Sequence, residues 1–346
     1  MVKENKKLIG VVGDLHLKEK LGYADLIEGG RKEEEEEVLN AIVEELEDCD
    51  EIVLLGDNFN AKNNTSEVIK RFVSFLGKFK DKKLYILAGN HEKHADGRTA
   101  IDFLKEVEEK NWEIITDGIY NYGNITFLPY MTKPELEADN DAEGTKKLMS
   151  MLKEAGGDVL FMHHAISDSM AGVVMTNLFN EPVLPKTGLE KLFKITMGGH
   201  IHMPQVLPGD KIYIAGSIFN NAVGEAQKYV WKVDKEALTV SQHKIPGRGI
   251  YKLENPTAEE LNVIPSDSIV KVIINDKKLK ETVPSIKISL QAFDASVVLE
   301  QYQNERKKLH FEEGMLDLGV EKLLDIYAKE RKVDRKKLKV AWDLIQ

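Results

Sequence analysis

Five short apolar runs of this chain each end on a cluster of Asp, Asn or His. The clusters are Gly13-Asp14-Leu15-His16, Gly56-Asp57-Asn58-Phe59-Asn60, Gly89-Asn90-His91-Glu92, Met162-His163-His164 and Gly198-Gly199-His200-Ile201-His202. The runs ahead of the first three, at 7–12, 51–55 and 84–88, are continuous and apolar, as strands covered on both faces are. Glycine in four of the clusters is expected to permit a tight turn. Ligands of open α/β sheets bind at the carboxyl ends of the strands. Six of the nine histidines lie in these five loops, a concentration that packing does not explain. His94, His243 and His310 lie outside them and are read as ordinary histidines.

Further β-rich runs follow at 112–116, 124–129, 158–162, 194–198, 212–216, 228–233 and 238–245. Between the early runs Glu33–Glu47 has helical spacing, with Val38, Ile42, Val43 and Leu46 on one face. Its Glu33–Glu37 run reads as a solvated first turn, where carboxylates suit the helix dipole. Alternation at the start followed by consecutive strands suggests a layered α/β sandwich. Pro and Gly interrupt any periodicity over 246–266, which is taken as a boundary region. The expected domains are 1–246, a small α+β domain at 247–300 with strands at 268–276 and 286–293, and a helical tail at 301–346. In the tail Leu316, Val320, Leu323, Leu324 and Tyr327 share one face, and Leu338, Ala341, Trp342 and Ile345 another.

Composition bounds the function classes. At 346 residues with 42% hydrophobic and 31% charged, the chain can bury a full core and is not disordered. Apolar stretches fall short of the ~20 residues a membrane span needs. The run after the basic start is broken at Asp14, so it reads as a strand and not as an export signal. The single Cys49 allows no internal disulfide and fits a reducing cytoplasm. The net charge of −10 argues against a generic nucleic-acid binder. A polyanionic substrate would need a local basic patch, such as Lys329–Lys339, or bound metal.

The donors themselves specify a metal. Carboxylate, amide oxygen and imidazole together suit Mn²⁺, Fe²⁺ or Zn²⁺, and the absence of Cys argues against structural zinc. Asp14, His16, Asp57, Asn90, one of His163 and His164, His200 and His202 exceed the needs of one ion. They supply two if a carboxylate bridges, and two ions about 3.5–4 Å apart can clamp a phosphoryl group.

In these motifs, over residues 7–245, the chain resembles the calcineurin-like metallophosphoesterase superfamily. The resemblance implies a four-layer αββα sandwich with the small capping domain and helical tail appended. It implies one metal on Asp14, His16, Asp57 and His202, and another on Asp57, Asn90, His163 and His200, both most plainly Mn²⁺. His163 is preferred to His164 because it directly follows its strand. His91 would act beside the metals as a catalytic acid or transition-state stabiliser. Glu92 would either orient His91 or lie at the surface. One departure stands at Asn60, where many members have Asp or His.

Within the superfamily the sequence is similar to the SbcD-type DNA repair nucleases, in residues 198–205 and in Gly216, Ser217, Gly224 and Glu225. That likeness implies DNA as substrate, cleavage as an exo- or endonuclease, an SbcC-like coiled-coil ATPase docked on the tail, and no membrane partner. It leaves a homodimer open. The rivals are a small-molecule or phosphoprotein phosphoesterase of the same superfamily and a scaffold without catalysis. The apolar segment 165–185 is open between a substrate-facing loop and buried packing.

Overall fold

The computed structural model describes residues 8–301 except 28–29, 95, 108–110, 172–173, 177–180, 226 and 275–295. The chain forms two compact units, Met1–Glu300 and Gln301–Gln346. The expected strand at 286–293 and the helical tail lie outside the described residues.

The first half runs β1 (Leu8–Val12), α1 (Lys32–Glu45), β2 (Glu51–Leu54), α2 (Ser66–Gly77), β3 (Lys83–Leu87), β4 (Trp112–Ile115), β5 (Tyr120–Tyr122) and β6 (Ile125–Leu128). Next come α3 (Asp141–Ala155), β7 (Val159–Met162), β8 (Met170–Ala171), β9 (Val174–Met175), α4 (Lys186–Leu192), β10 (Ile195–Gly198), β11 (Gln205–Val206) and β12 (Ile212–Ile214). The described part closes with β13 (Tyr229–Asp234), β14 (Thr239–Lys244), β15 (Ile250–Glu254), α5 (Ala258–Asn262), β16 (Ile269–Ile274) and β17 (Ser296–Gln301).

Two six-stranded sheets carry the fold, ordered β14-β13-β1-β2-β3-β4 and β11-β12-β10-β7-β6-β5. Strands β1 to β4 are parallel, as are β6, β7, β10 and β12, while β13, β14, β5 and β11 pair antiparallel at the edges. Side chains alternate across a strand, and here both faces are apolar. Ile9, Val11, Val53 and Tyr85 of the first sheet meet Phe127, Val159, Phe161 and Met197 of the second. Tyr85 stacks on Phe127 with ring centroids 4.5 Å apart. The alternate residues Val12, Ile52, Leu54 and Ile86 pack on Val38, Ile42, Phe72 and Leu76 of α1 and α2. Leu128, Leu160, Met162 and Ile214 pack on Leu148 and Leu152 of α3 and Leu189 of α4. The architecture is therefore the four-layer αββα sandwich, with mixed sheets flanked by helices.

Parallel order has a direct consequence for function. The carboxyl ends of β1, β2 and β3 lie along one edge of the first sheet, and those of β7 and β10 along one edge of the second. Asp14 is bridged to Ser217 just after β12, and the Ile218 amide donates to the Asp14 carbonyl at 2.9 Å. The two edges therefore meet.

Two expectations change, and one that was open narrows. The 246–266 region is not irregular: it contains β15 and α5, and β15 pairs parallel with β16 in a three-stranded sheet. Pro and Gly hid the pattern because they flank these short elements. The Glu33–Glu37 run is not wholly solvated, since Glu35 is buried against Arg71 and Glu34 holds Arg31. The segment 165–185 has a β8–β9 hairpin, with Ala165, Ile166, Thr176 and Leu184 buried.

Candidate metal centre

The first sheet supplies the carboxylates. Asp14 and Asp57 are fully buried, each on the loop leaving a central parallel strand. Both Asp14 oxygens accept from the His200 amide, at 3.1 and 3.0 Å, and Asp57 Oδ1 accepts from the His91 amide at 2.8 Å. Backbone at this edge is strained. His16, Asp57 and His200 have φ of 48°, 46° and 77°, a left-handed region that costs a non-glycine residue of order 1–3 kcal/mol. Cross-loop bonds hold it, including His16 N to Asp57 O at 2.8 Å and Leu17 N to Asn58 O at 2.9 Å.

Glycine serves close approach at two of these loops more than turn geometry. A Cβ on Gly89 would stand 2.1 Å from Asp57 Oδ1, and one on Gly199 would stand 2.7 Å from Asp14 Oδ1 and 2.9 Å from His163 Nδ1. Neither glycine has a positive φ. Any side chain at either position would displace a carboxylate.

The imidazoles are aimed by what holds their outer nitrogens. A carbonyl or carboxylate oxygen can only accept, so the nitrogen facing it carries hydrogen and the other nitrogen turns its lone pair to the centre. His163 Nδ1 donates to the Leu55 carbonyl at 2.7 Å, leaving Nε2 3.1 Å from Asn90 Oδ1 and 3.5 Å from Asp57 Oδ2. His200 Nε2 donates to Glu181 at 2.6 Å, leaving Nδ1 2.9 Å from Asn90 Oδ1. His202 Nδ1 faces Glu225 at 3.8 Å, and its Nε2 lies 2.8 Å from His16 Nε2. His164 turns elsewhere: its Nε2 accepts from the Met131 amide at 3.1 Å, and its ring stacks on Tyr130 at 4.9 Å.

Three groups of potential ligands thus overlap, with donor atoms within 4.8 Å of one another: Asp14, His16 and His202; His16, Asp57 and His91; and Asp14, Asp57 and His163. Carboxylate, amide oxygen and imidazole nitrogen crowd together, with His163 Nε2 and His200 Nδ1 both aimed at Asn90 Oδ1, a pattern that suits added protons or cations. The titration behaviour agrees. Burial lifts the Asp14 carboxyl above its usual range, against the pull of His163. Burial acts the same way on Asp57 but is outweighed by His163, so that carboxyl titrates well below its usual range. Burial depresses His16 to about 3. It also lowers His163, yet Asp57 and Asp14 carry that ring up to about 9. Neutral imidazole, carboxylate and amide oxygen in one cluster, with the buried His16 Nδ1 left without a partner, fit divalent ions of the Mn²⁺, Fe²⁺ or Zn²⁺ kind.

His91 and Glu92 part company. His91 Nδ1 donates to the backbone carbonyl of Asn60 at 3.0 Å, and Nε2 lies 4.0 Å from Asp57 Oδ2 with the side chain 43% exposed. The carbonyl of residue 60, and not its side chain, therefore orients His91, so Asn60 leaves that contact intact. Glu92 neither orients His91 nor lies at the surface. It is fully buried and accepts from the Gly89 amide (2.8 Å), the Phe59 amide (3.1 Å) and Asn58 Nδ2 (3.4 Å), tying the second and third loops together. Burial, with Asp57 nearby, pushes its carboxyl up to about 8.

Sequence reasoning missed the supports of the second sheet. Glu225 Oε2 accepts from the Asn221 amide at 2.9 Å and pairs with Lys228 at 3.2 Å, and buried Lys228 also donates to Ser217 Oγ at 2.7 Å. Of these, Ser217 and Glu225 carried a signal, as part of the Gly216-Ser217 and Gly224-Glu225 likeness, and Lys228 carried none. Glu181 carried no signal beyond its place in the apolar segment 165–185. The remaining described histidines take ordinary roles, His243 pairing with Glu45 at 2.8 Å and His94 bonding through its backbone to Arg98.

A buried double-carboxylate, imidazole-rich cluster at the meeting edge of two sheets defines a metal-dependent hydrolase. The chain belongs to the calcineurin-like phosphoesterase family, which it matches over residues 7–204. One solved structure, described as a novel archaeal phosphodiesterase, is similar at 11% identity and TM-score 0.35, over 69% of this chain and 99% of its own. A second solved structure is similar at 12% identity and TM-score 0.42, again over 69% and 99%. No curated protein sequence matches. Among the described residues no helix is long and apolar enough to cross a membrane.

Proposed function

We propose that this chain is a two-manganese phosphodiesterase that cuts DNA, working as the SbcD-like subunit of a repair and recombination complex with an SbcC-like ATPase in the cytoplasm. The observation that supports a two-ion site is the overlap of the ligand groups on Asp14, Asp57 and His16. One ion would take Asp14, His16, Asp57 and His202, and the other Asp57, Asn90, His163 and His200. Ions held there would polarise phosphoryl oxygens and acidify a water.

The chain's own residues do the rest. His91, oriented through Nδ1 by the Asn60 carbonyl, presents Nε2 on the exposed side of the cluster. A water oxygen bonds to phosphorus as the bond to the leaving sugar oxygen breaks. The doubly protonated His91 ring gives its Nε2 proton to the leaving oxygen and returns to the neutral tautomer, with Nδ1–H still held by the Asn60 carbonyl. The choice of a nuclease within the family is supported by the segment that carries the SbcD likeness. Its Ser217, Glu225 and Lys228 form the bracket behind His202, so the likeness falls on residues that touch the centre. Domains at 1–246 and 247–300 and a docking tail at 301–346 complete the reading.

The acidic net charge of −10 favours the second reading, a phosphoesterase for small substrates. Manganese-dependent assays separate the two. The nuclease reading expects turnover of bis-p-nitrophenyl phosphate and a short single-stranded oligonucleotide, and little of p-nitrophenyl phosphate or phosphoserine. The reverse preference would remove the nuclease.

A further inference from the structure

Glu181 stands at the rim of the centre. Its Oε1 accepts from His200 Nε2 at 2.6 Å, and its Oε2 accepts from the Tyr130 hydroxyl at 3.2 Å. A carboxylate between an imidazole and a phenol has both oxygens committed, and its side chain is only 17% exposed. The backbone just after it is anchored as well. Thr145 Oγ1 donates to the Val183 carbonyl at 3.2 Å, and the Leu184 amide donates to the Ala165 carbonyl at 2.9 Å. Pro182 sits so close to Gly144 that a Cβ there would meet it at 2.8 Å.

We propose that Glu181 is a positioning residue of the metal centre: it locks the His200 ring so that Nδ1, and not Nε2, is the donor offered beside Asn90. This rests on the two-ion reading above. The outer nitrogen of a ligating histidine is usually held by a carboxylate or carbonyl, and losing that partner typically costs 10–100-fold in metal affinity. His163 has a carbonyl in this place and His202 has Glu225. Glu181 completes the set for the three histidines of the second sheet, from a segment that no motif marks. Tyr130 braces it from behind, its ring 6.1 Å from the His200 ring at 28°. Without Glu181 the ring could rotate or exchange its proton between nitrogens, and Asn90 would lose a fixed neighbour.

The test is a Mn²⁺ titration of the full chain by calorimetry, with electron paramagnetic resonance to tell paired from isolated ions. Wild-type protein, Glu181→Gln and Glu181→Ala are compared. Glu181→Ala should weaken one of two bound ions about 10–100-fold, leave the other unchanged, and lose the signature of a coupled pair at limiting manganese. Glu181→Gln keeps an acceptor of the same shape and should lose much less. It carries the test if the alanine variant fails to fold. Two full-affinity ions in Glu181→Ala, or equal damage in both variants, would overturn the positioning role. A wild-type chain that binds fewer than two ions would instead overturn the two-ion reading beneath it.

Discussion

The loops of the first sheet bring Asp14, His16, Asp57, Asn90 and His91 to the centre and hold them largely through backbone: strained turns at His16 and Asp57, amides bonded across loops, and a carbonyl behind His91. The loops of the second sheet bring His163, His200 and His202. Two of those three rings lean on side chains, Glu181 and Glu225, that belong to other segments. One half of the centre thus supplies charge on a scaffold that substitution can barely adjust. The other supplies imidazoles, two of which depend for their aim on single carboxylates. Charge and aim fail differently, and that contrast can be tested.

The largest effect should come from the charged half. Asp57 faces His16, His91 and His163 at once, so Asp57→Ala should release both ions and lower phosphodiester turnover by more than about 1,000-fold. His202→Ala should release one ion only. Metal analysis of the two variants by mass spectrometry checks this. If the histidine variant empties the centre as thoroughly as the aspartate one, the division of labour between the sheets is wrong.

The same contrast explains what could be read from residues alone. The first-sheet loops were legible because continuous apolar runs end on them, and the candidate donors from Asp14 to His202 that the fold brings together could be named, with His163 and His164 as alternatives. Ten of the twelve strands in the two six-stranded sheets were legible as apolar or β-rich runs, whereas β5 and β11, three and two residues long, were not. The supports were not. Glu92 looked like a polar neighbour of His91 because its burial arises only when the second and third loops meet. Asn60 looked like a lost acid or a lost histidine, although a backbone carbonyl orients His91 and any residue has one. Glu181 lies 19 positions before His200 in a segment whose pattern is broken. The short elements β15 and α5 were hidden because five-residue elements between Pro and Gly show only about 2.5 repeats of the strand period or about 1.4 of the helical one.

The second largest effect separates chemistry from binding within the first half. His91→Ala should keep both ions and reduce cleavage by about 10²–10⁴-fold, the usual worth of a positioned acid. Its Nε2 is near enough to Asp57 to serve as a ligand instead. Loss of an ion in this variant would reassign it, and would move one more donor into the first sheet's share.

A third variant asks whether the backbone scaffold is as decisive as the contrast requires. Glu92→Ala removes the acceptor for the Gly89 and Phe59 amides. Each buried donor left unpaired costs about 1–3 kcal/mol, so the thermal midpoint should fall by several degrees and manganese binding should weaken with it. Glu92→Gln retains an acceptor for one amide and should lie between. An unchanged midpoint in Glu92→Ala would show that the loops hold their shape without this brace.

The smallest effect is a readout of the first sheet's helix-covered side, where Cys49 is buried in the same cluster as Val12, Ile42 and Leu54. Burial, with Asp48 beside it, pushes the thiol up to about 12, above an unfolded value near 9. The sign follows directly: an unfolded chain sheds this proton first, so stability is unaffected below about pH 9 and falls as pH rises from there towards 12. At pH 8 the native thiol is protonated and covered, so an aromatic disulfide reagent should react only through opening of this layer. Labelling rates should match global unfolding measured by circular dichroism, and manganese should slow both together. Labelling faster than unfolding, and indifferent to manganese, would mean that the helix layer over the first sheet opens by itself, and the scaffold that holds the carboxylates would be less rigid than its hydrogen bonds imply.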